Sequence, residues 1–392
     1  MRRGNLQIVL TIKRIKYRLI KTKFSLCILT ACIFLITGCS TGQKSPGTSQ
    51  ELVRTGFAFN TTYTITLYEG GSEDLLDECI LRCTAYEKLF SRTLKGSELY
   101  NINEIEKAYL EVLRNKTNKN VKVSEKDIKS LVDNDATFHL MDDGSIGFQI
   151  SSAMYNILEK GLYYSKLSDG TFDITIEPVS SLWDFMAESP EVPEEQQLKE
   201  AVKLTSYKNM ELEDGKLVLK IPGMGIELGA IAKGYIADRL KEYLENHGVT
   251  SGTINLGGNV LCIGSKAGGT PFHIGVQQPF ADRNEVITAI KADDVSIVSS
   301  GIYERYFVQD EKIYHHILNP ADGYPYNNGL VAVTVVSKES VDGDALSTTC
   351  FALGLEKGME FVESLEDVYA VFITEDEKLH YSKGFKEMEI GN

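Results

Sequence analysis

The stretch that decides the fold is AKGYIADRLKEYLEN at residues 232–246, followed almost at once by SGTINL at 251–256. In the first, Ile236, Leu240, Tyr243 and Leu244 recur at helical spacing and form one apolar face, so a helix runs from about Ala232 to Asn246. In the second the period collapses to that of a short strand, and short strands then dominate: 251–256, 272–277, 285–291, 303–308, 312–318 and 330–337. Helices near 343–353 and 356–364 precede a last strand at 368–373. Towards the N-terminus, FNTTYTITLY (59–68) sets Tyr63, Ile65 and Leu67 against threonines and reads as a strand. Leu76, Cys79, Ile80, Cys83 and Phe90 mark a helix over 74–90, and Met154, Ile157, Leu158, Gly161 and Leu162 mark another. Residues 104–148 read as irregular and polar, with a hairpin-like tip at Asp142-Asp143-Gly144. Helices in blocks and turn-separated strands predict an α+β fold with mixed or antiparallel sheets and packed helices, not a doubly wound parallel sheet. No linker breaks the chain after Glu51, so 51–392 is expected to be one large domain or two intimately packed halves.

Charge divides the chain differently. Of 41 basic residues, eight lie in residues 1–38, which hold no acid; the remainder carries 33 basic against 55 acidic residues. A body that acidic lacks the Lys and Arg surplus that phosphate backbones demand, so no nucleic-acid partner is expected. The basic arm runs into FSLCILTACIFLITG (24–38), fifteen residues and short for a spanning helix. Basic region, short apolar core and small residues make residues 1–38 a signal peptide. Ile36-Thr37-Gly38-Cys39 resembles a bacterial lipobox, in which Cys39 is lipidated and becomes the new N-terminus. Residues 39–50 are then a Ser/Gly/Pro tether. This places the mature protein outside the cytoplasm, held to the membrane by lipid. Cys79, Cys83, Cys262 and Cys350 remain, without a CxxC, and are expected to be buried small hydrophobes.

The generic phosphate-loop, dinucleotide and HExxH signatures are absent, so the chemistry must come from other segments. In IELGAIAKGYIAD (226–238), small residues lead into a helix with Lys233 in its first turn. A Lys at the positive end of a helix dipole makes sense if an anion lies between; taken alone, a strand-to-helix turn with a solvated Lys explains it equally well. TINLGGNV (253–260) ends a strand in Gly-Gly, most simply a tight turn. In YHHILNPADGYP (314–325), neighbouring histidines of a strand face apart, so at most one can serve a given site. In DGDALSTTC (342–350), Asp344 and Thr348 share a helix face; carboxylate and hydroxyl are hard ligands suited to Mg²⁺, and a helix cap with a buried Thr is the default alternative. SDGTFDITIEP (168–178) and LWDF (182–185) could stack on a planar ring or simply pack in the core.

In this order, together with FSRTLKGSELYNIN (90–103), SSGIYERYF (299–307) and DALSTTCFALG (344–354), these segments resemble the ApbE family, the FAD:protein FMN transferases. The likeness runs from about Phe59 to Phe372. It implies a T-fold-like α+β architecture and an enzyme that cleaves the FAD pyrophosphate with Mg²⁺. Such an enzyme transfers FMN to a Thr hydroxyl of an acceptor protein as a phosphoester and releases AMP. The acceptors implied are FMN-binding subunits of membrane electron-transfer complexes, the sodium-pumping quinone reductase and Rnf types. By resemblance, Asp344, Thr348 and Ala230, the last through its carbonyl, hold the metal, and His316 does the acid–base work. Phe59, Thr93, Thr171, Phe172, Asp173, Glu227, Lys233 and Ile317 contact the flavin nucleotide. Glu227 stands where the family usually has Asp, Phe59-Asn60 where Met-Gly is common, and Asn319 and Ala321-Asp322 replace Asp and Arg-Thr. The alternatives are a metal-dependent FAD pyrophosphatase using water, and a lipoprotein that binds flavin without turnover. The latter leaves Asp344 with Thr348 unexplained.

Overall fold

The structure is a computed structural model that describes residues 51–116, 122–266, 268–282 and 285–390. The signal segment, Cys39 and the tether lie outside the described residues. Along the chain come β1 (Leu52–Ala58), β2 (Thr61–Glu69), α1 (Glu73–Phe90), α2 (Glu98–Asn115), α3 (Glu125–Lys129), β3 (Phe138–Leu140) and β4 (Ile146–Gln149). Helices α4 (Ser152–Leu167), α5 (Glu177–Ser180) and α6 (Glu195–Val202) follow, then β5 (Met210–Glu213), β6 (Lys216–Leu219) and α7 (Ala232–Asn246). The second half holds β7 (Ser251–Leu256), β8 (Asn259–Ile263), β9 (Phe272–Gln277), β10 (Val286–Ala292), β11 (Ser296–Gly301), β12 (Tyr306–Gln309), β13 (Lys312–His315) and β14 (Leu330–Ser337). It closes with α8 (Ser340–Leu353), α9 (Leu355–Glu363), β15 (Tyr369–Thr374), β16 (Leu379–Tyr381) and α10 (Phe385–Met388).

Eight strands form the main sheet in the order β1-β2-β7-β8-β11-β14-β15-β16, and every neighbouring pair is antiparallel. A second sheet has the order β3-β4-β6-β5, and β9-β10 and β12-β13 are separate hairpins. Strand β14, LVAVTVVS, is buried along its whole length because both faces of the sheet are covered. Val331, Val333 and Val335 enter the main core, against which α8 packs. Ala332 and Val336 face the other way, into a second core with Phe272 and Ile290 from the β9-β10 hairpin. Helices α1, α2 and α4 begin where Ser72, Ser97 and Ser151 accept hydrogen bonds from the third amide of their first turns. The α+β reading therefore holds. All four described cysteines are buried and free.

Several boundaries differ from expectation. The strand expected at 59–68 starts at Thr61, because Phe59 (φ 53°) and Asn60 (φ 57°) form the tight turn of a hairpin whose first arm, β1, the sequence reading left unassigned. The strand expected at 303–308 starts only at Tyr306, the one at 312–318 stops at His315, and β8 and β11 are additional. The largest difference is in 104–148. Helix α2 occupies its first part and β3-β4 turn about the Asp142-Asp143-Gly144 tip. The helical period of Leu99, Ile102, Ile105 and Tyr109 is interrupted by Asn101, Asn103 and Glu106, which are buried with them. Asn103 exchanges two hydrogen bonds with the Ile226 backbone and Glu106 accepts from the Gly223 amide, so polarity there signals internal pairing, not exposure.

Candidate active site

The site is built where α8 crosses the first turn of α7. The approach to α7 lies beside the 173–177 segment: Glu227 donates its amide to the Ile174 carbonyl at 2.8 Å, and Ile176 bridges Gly225 in parallel. At the crossing, Asp344 is buried, with 4% of its surface exposed. Its Oδ2 accepts the Gly234 amide at 3.0 Å, and its Oδ1 lies 3.3 Å from Lys233 Nζ, which also donates to the Gly229 carbonyl at 3.0 Å. This contact needs glycine at 234, where a Cβ would lie 2.2 Å from the Ser340 carbonyl oxygen. The Gly234 amide would otherwise close the first helical bond to the Ala230 carbonyl. Given to Asp344 instead, it leaves that carbonyl without a hydrogen-bond donor among the described residues. One turn along α8, Thr348 Oγ1 is 3.1 Å from Ser300 Oγ, which is 2.8 Å from Ser347 Oγ.

This donor set can be tested against a metal. It offers one carboxylate, a threonine hydroxyl and a spare backbone carbonyl, all hard oxygens. No group of three or more His, Cys, Asp or Glu that could hold a metal occurs among the described residues. A set this sparse does not cage an ion alone. It fits Mg²⁺, which keeps waters and takes one or two carboxylates plus substrate phosphates. Asp344, Thr348 and Ala230 are thus compatible with the ion expected of them.

The two histidines diverge at the end of β13. His315 is buried, 4% exposed, against the edge of Phe351. Its Nε2 donates to the Tyr326 carbonyl at 2.9 Å and its Nδ1 accepts the Ile317 amide at 3.3 Å. Burial pulls its pKa down to about 4. His316 is half-buried, and its Nδ1 donates to the Arg305 carbonyl at 3.3 Å, which leaves Nε2 as the basic nitrogen. Desolvation, then the nearby His315, Arg305 and Lys233, bring its pKa down to about 3. His316 is therefore neutral at pH 7.

The flavin-contact candidates fall into linked pairs. Tyr326 ties two of them together: its hydroxyl donates to the Thr171 carbonyl at 3.0 Å and its amide to the Ile317 carbonyl at 3.0 Å. Glu227 forms an ion pair with Arg92, next to Thr93, while its other oxygen accepts the Gly229 amide at 2.9 Å. Thr93 is exposed and its amide donates to Ser91 Oγ. Phe59 is fixed through its amide to Glu87 Oε1 at 2.8 Å. Phe172 is buried edge-on to Tyr164. The Asp173 carboxylate accepts from the Thr175 amide and hydroxyl in its own turn and from the distant Tyr207 amide, so it ties the 173–175 turn to the 207 segment. Burial raises its pKa. Arg92, Ser300 and Tyr326 were not among the sequence candidates. Arg92 and Ser300 sit inside quoted segments, but only the fold supplies their partners.

Known proteins resemble this chain in sequence and in fold. The sequence pattern of the ApbE family matches residues 59–373. An FAD:protein FMN transferase of Klebsiella pneumoniae is 39% identical over 229 residues, 58% of this chain and 71% of that protein. One from Treponema pallidum is 32% identical over 256 residues, 62% of this chain and 71% of that protein. Among solved structures, the ApbE protein of Thermotoga maritima superposes with a TM-score of 0.70 at 27% identity, covering 87% of this chain and 100% of its own. The flavin transferase ApbE of Vibrio cholerae shares the fold at a TM-score of 0.69 and 24% identity, covering 86% and 99%. With four-fifths of its length matched by the family pattern and the same fold in its solved members, this chain belongs to the ApbE family.

Proposed function

We infer that this chain is an FAD:protein FMN transferase that moves FMN from FAD to a threonine hydroxyl of an acceptor protein and releases AMP. The observation that carries the reading is the meeting of Lys233, Asp344, Thr348 and the spare Ala230 carbonyl at one helix crossing. It sets a lysine cation beside hard-oxygen donors, as a pyrophosphate with a bound Mg²⁺ requires. When bound there, Mg²⁺ would neutralise phosphate charge and favour departure of AMP. Lys233 would bind the pyrophosphate oxygens. His316, with its Nε2 free, would accept the acceptor hydroxyl proton as the threonine oxygen bonds to the FMN phosphorus and the bond to the AMP oxygen breaks. Arg92 holds Glu227 and with it the loop to Ala230.

The acceptors we propose are the FMN-binding subunits of membrane electron-transfer complexes, of the sodium-pumping quinone reductase and Rnf types. The signal and lipobox support an extracytoplasmic, lipid-anchored protein. Cys39→Ser should then move the chain out of the membrane fraction or leave it unprocessed.

The deciding experiment incubates the chain with FAD, Mg²⁺ and an acceptor domain, and reads protein-bound flavin fluorescence in a denaturing gel with AMP release. Both signals together are expected. AMP and FMN without labelled acceptor would assign an FAD pyrophosphatase. Flavin that co-elutes with the native chain, with neither labelled acceptor nor AMP, would assign a flavin-binding lipoprotein.

A further inference from the structure

Helices α7 and α8 hold each other reciprocally. The Gly234 amide of α7 donates to Asp344 of α8. One turn along α7, Asp238 returns the contact: its Oδ1 accepts the Ser340 amide at 2.7 Å and its Oδ2 the Val341 amide at 2.8 Å. The residue preceding α8, Glu339, makes no side-chain cap of its own, so the cap comes from the other helix. The Ser340 hydroxyl is pinned as well, donating to Asn259 Oδ1 at 2.7 Å and accepting from Ser296 Oγ at 2.8 Å. Ser340 and Asp344 are one turn apart, about 6 Å along a rigid helix, so a slide or rotation at Ser340 is passed directly to the Asp344 carboxylate.

We propose that Asp238 is a positioning residue for the metal and pyrophosphate site, holding Asp344 in place over Lys233 by clamping the first turn of α8 to α7. This rests on the reading of Asp344 as a Mg²⁺ ligand. Asp238 touches neither ion nor substrate; it fixes where the only carboxylate of the donor set stands. Groups that hydrogen-bond a metal ligand directly alter metal affinity by roughly 10–100-fold when removed, and Asp238, acting one helical turn away, is expected at the low end of that range. Asp238→Asn keeps the shape but presents an amide nitrogen to one of the two backbone N–H groups, so one arm of the clamp opens.

The test uses the full chain and Mg²⁺ itself. Half-saturating Mg²⁺ is measured in two ways, by AMP release from FAD and by the Mg²⁺-induced rise in melting temperature without turnover. Flavin binding without metal is followed by fluorescence quenching. Asp238→Asn should raise both half-saturating concentrations about tenfold, recover turnover at high Mg²⁺, and leave metal-free flavin binding unchanged. Val362→Ala, a core truncation on α9, should lower the melting temperature without moving either Mg²⁺ value. Should Asp238→Asn not fold, Asp238→Glu, which keeps the charge but displaces the oxygens by a methylene, must shift the Mg²⁺ values in the same direction. A lower melting temperature with unmoved Mg²⁺ values overturns the proposal and leaves Asp238 a helix cap. A wild-type chain with no Mg²⁺ response at all overturns the metal reading and this proposal together.

Discussion

Lys233 Nζ lies 3.3 Å from Asp344 Oδ1, a cation placed on the one carboxylate of the proposed metal donor set. The pair is mostly shielded, with 26% and 5% of the side chains exposed. Such a lysine can hold the carboxylate in position and move to phosphate oxygens when they arrive. Asp344→Asn keeps an acceptor for the Gly234 amide but removes the charge. It should lower transfer by roughly 10³-fold, the several kcal/mol that a Lewis acid supplies at a leaving oxygen. With Lys233 released and a negative charge gone, metal-free FAD binding should hold or tighten. Steady-state AMP release and fluorescence titration test both, and wild-type transfer by Asp344→Asn would make Asp344 a helix cap only.

The metal proposed for the site follows from its donor set. One carboxylate, one hydroxyl and one carbonyl favour Mg²⁺ or Mn²⁺ over Zn²⁺. EDTA should abolish transfer and Mg²⁺ restore it. Undiminished transfer after exhaustive chelation would contradict the site.

His316 and His315 should separate cleanly. His316→Ala is expected to lower turnover by roughly 10²–10⁴-fold with little change in FAD affinity, since its Nε2 is free to take a proton. His315→Ala should act on the fold, because it leaves the Tyr326 carbonyl and the Ile317 amide without their partner, a loss of about 1–3 kcal/mol. His315 also has an acid signature. Its folded pKa of about 4 lies below the ordinary 6.5, so the unfolded chain binds the proton first. Its contribution is present above about pH 6.5 and is lost as pH falls towards 4. Denaturant midpoints for both variants, set beside kcat, distinguish the two roles; a catalytic defect in His315→Ala with a stable fold would reverse the assignment.

Where the sequence was legible, local periodicity and tertiary role agreed. Helix α7 appears at its expected bounds because Ile236, Leu240 and Leu244 form an unbroken buried face. Asp344 and Thr348 were legible because four-residue spacing on a helix fixes their common face without tertiary knowledge. Helix α2 was hidden because Asn103 and Glu106, polar by type, are buried with hydrogen bonds to the backbone at Ile226 and Gly223, more than a hundred residues away. Asp238 was hidden for the same reason: it lies on the quoted helix, but its partners Ser340 and Val341 belong to another element. Asp173 shows the converse. The family resemblance implies a ligand contact, while the fold gives its carboxylate two donors from Thr175 and a third from the Tyr207 amide, 34 residues along the chain.

Glu106 carries the last prediction. It is fully buried on α2; Oε2 accepts the Gly223 amide at 2.9 Å and Oε1 has no hydrogen-bond partner among the described residues. Desolvation raises its pKa to about 8, against the single opposing bond from Gly223. The folded protein therefore keeps the proton that the unfolded chain releases near pH 4.5. The resulting stabilisation is complete below that value and is lost as pH rises through 8. The window above pH 6.5 separates this loss from the histidine effect, which operates below it. Glu106→Gln preserves the shape and the acceptor for Gly223 but cannot ionise. Wild-type melting temperature should fall between pH 6.5 and 9 more steeply than that of Glu106→Gln, so the difference between the two widens in favour of the variant as pH rises. Parallel melting curves across that range would mean that Glu106 is already ionised in the folded protein, with a counter-charge or water at Oε1.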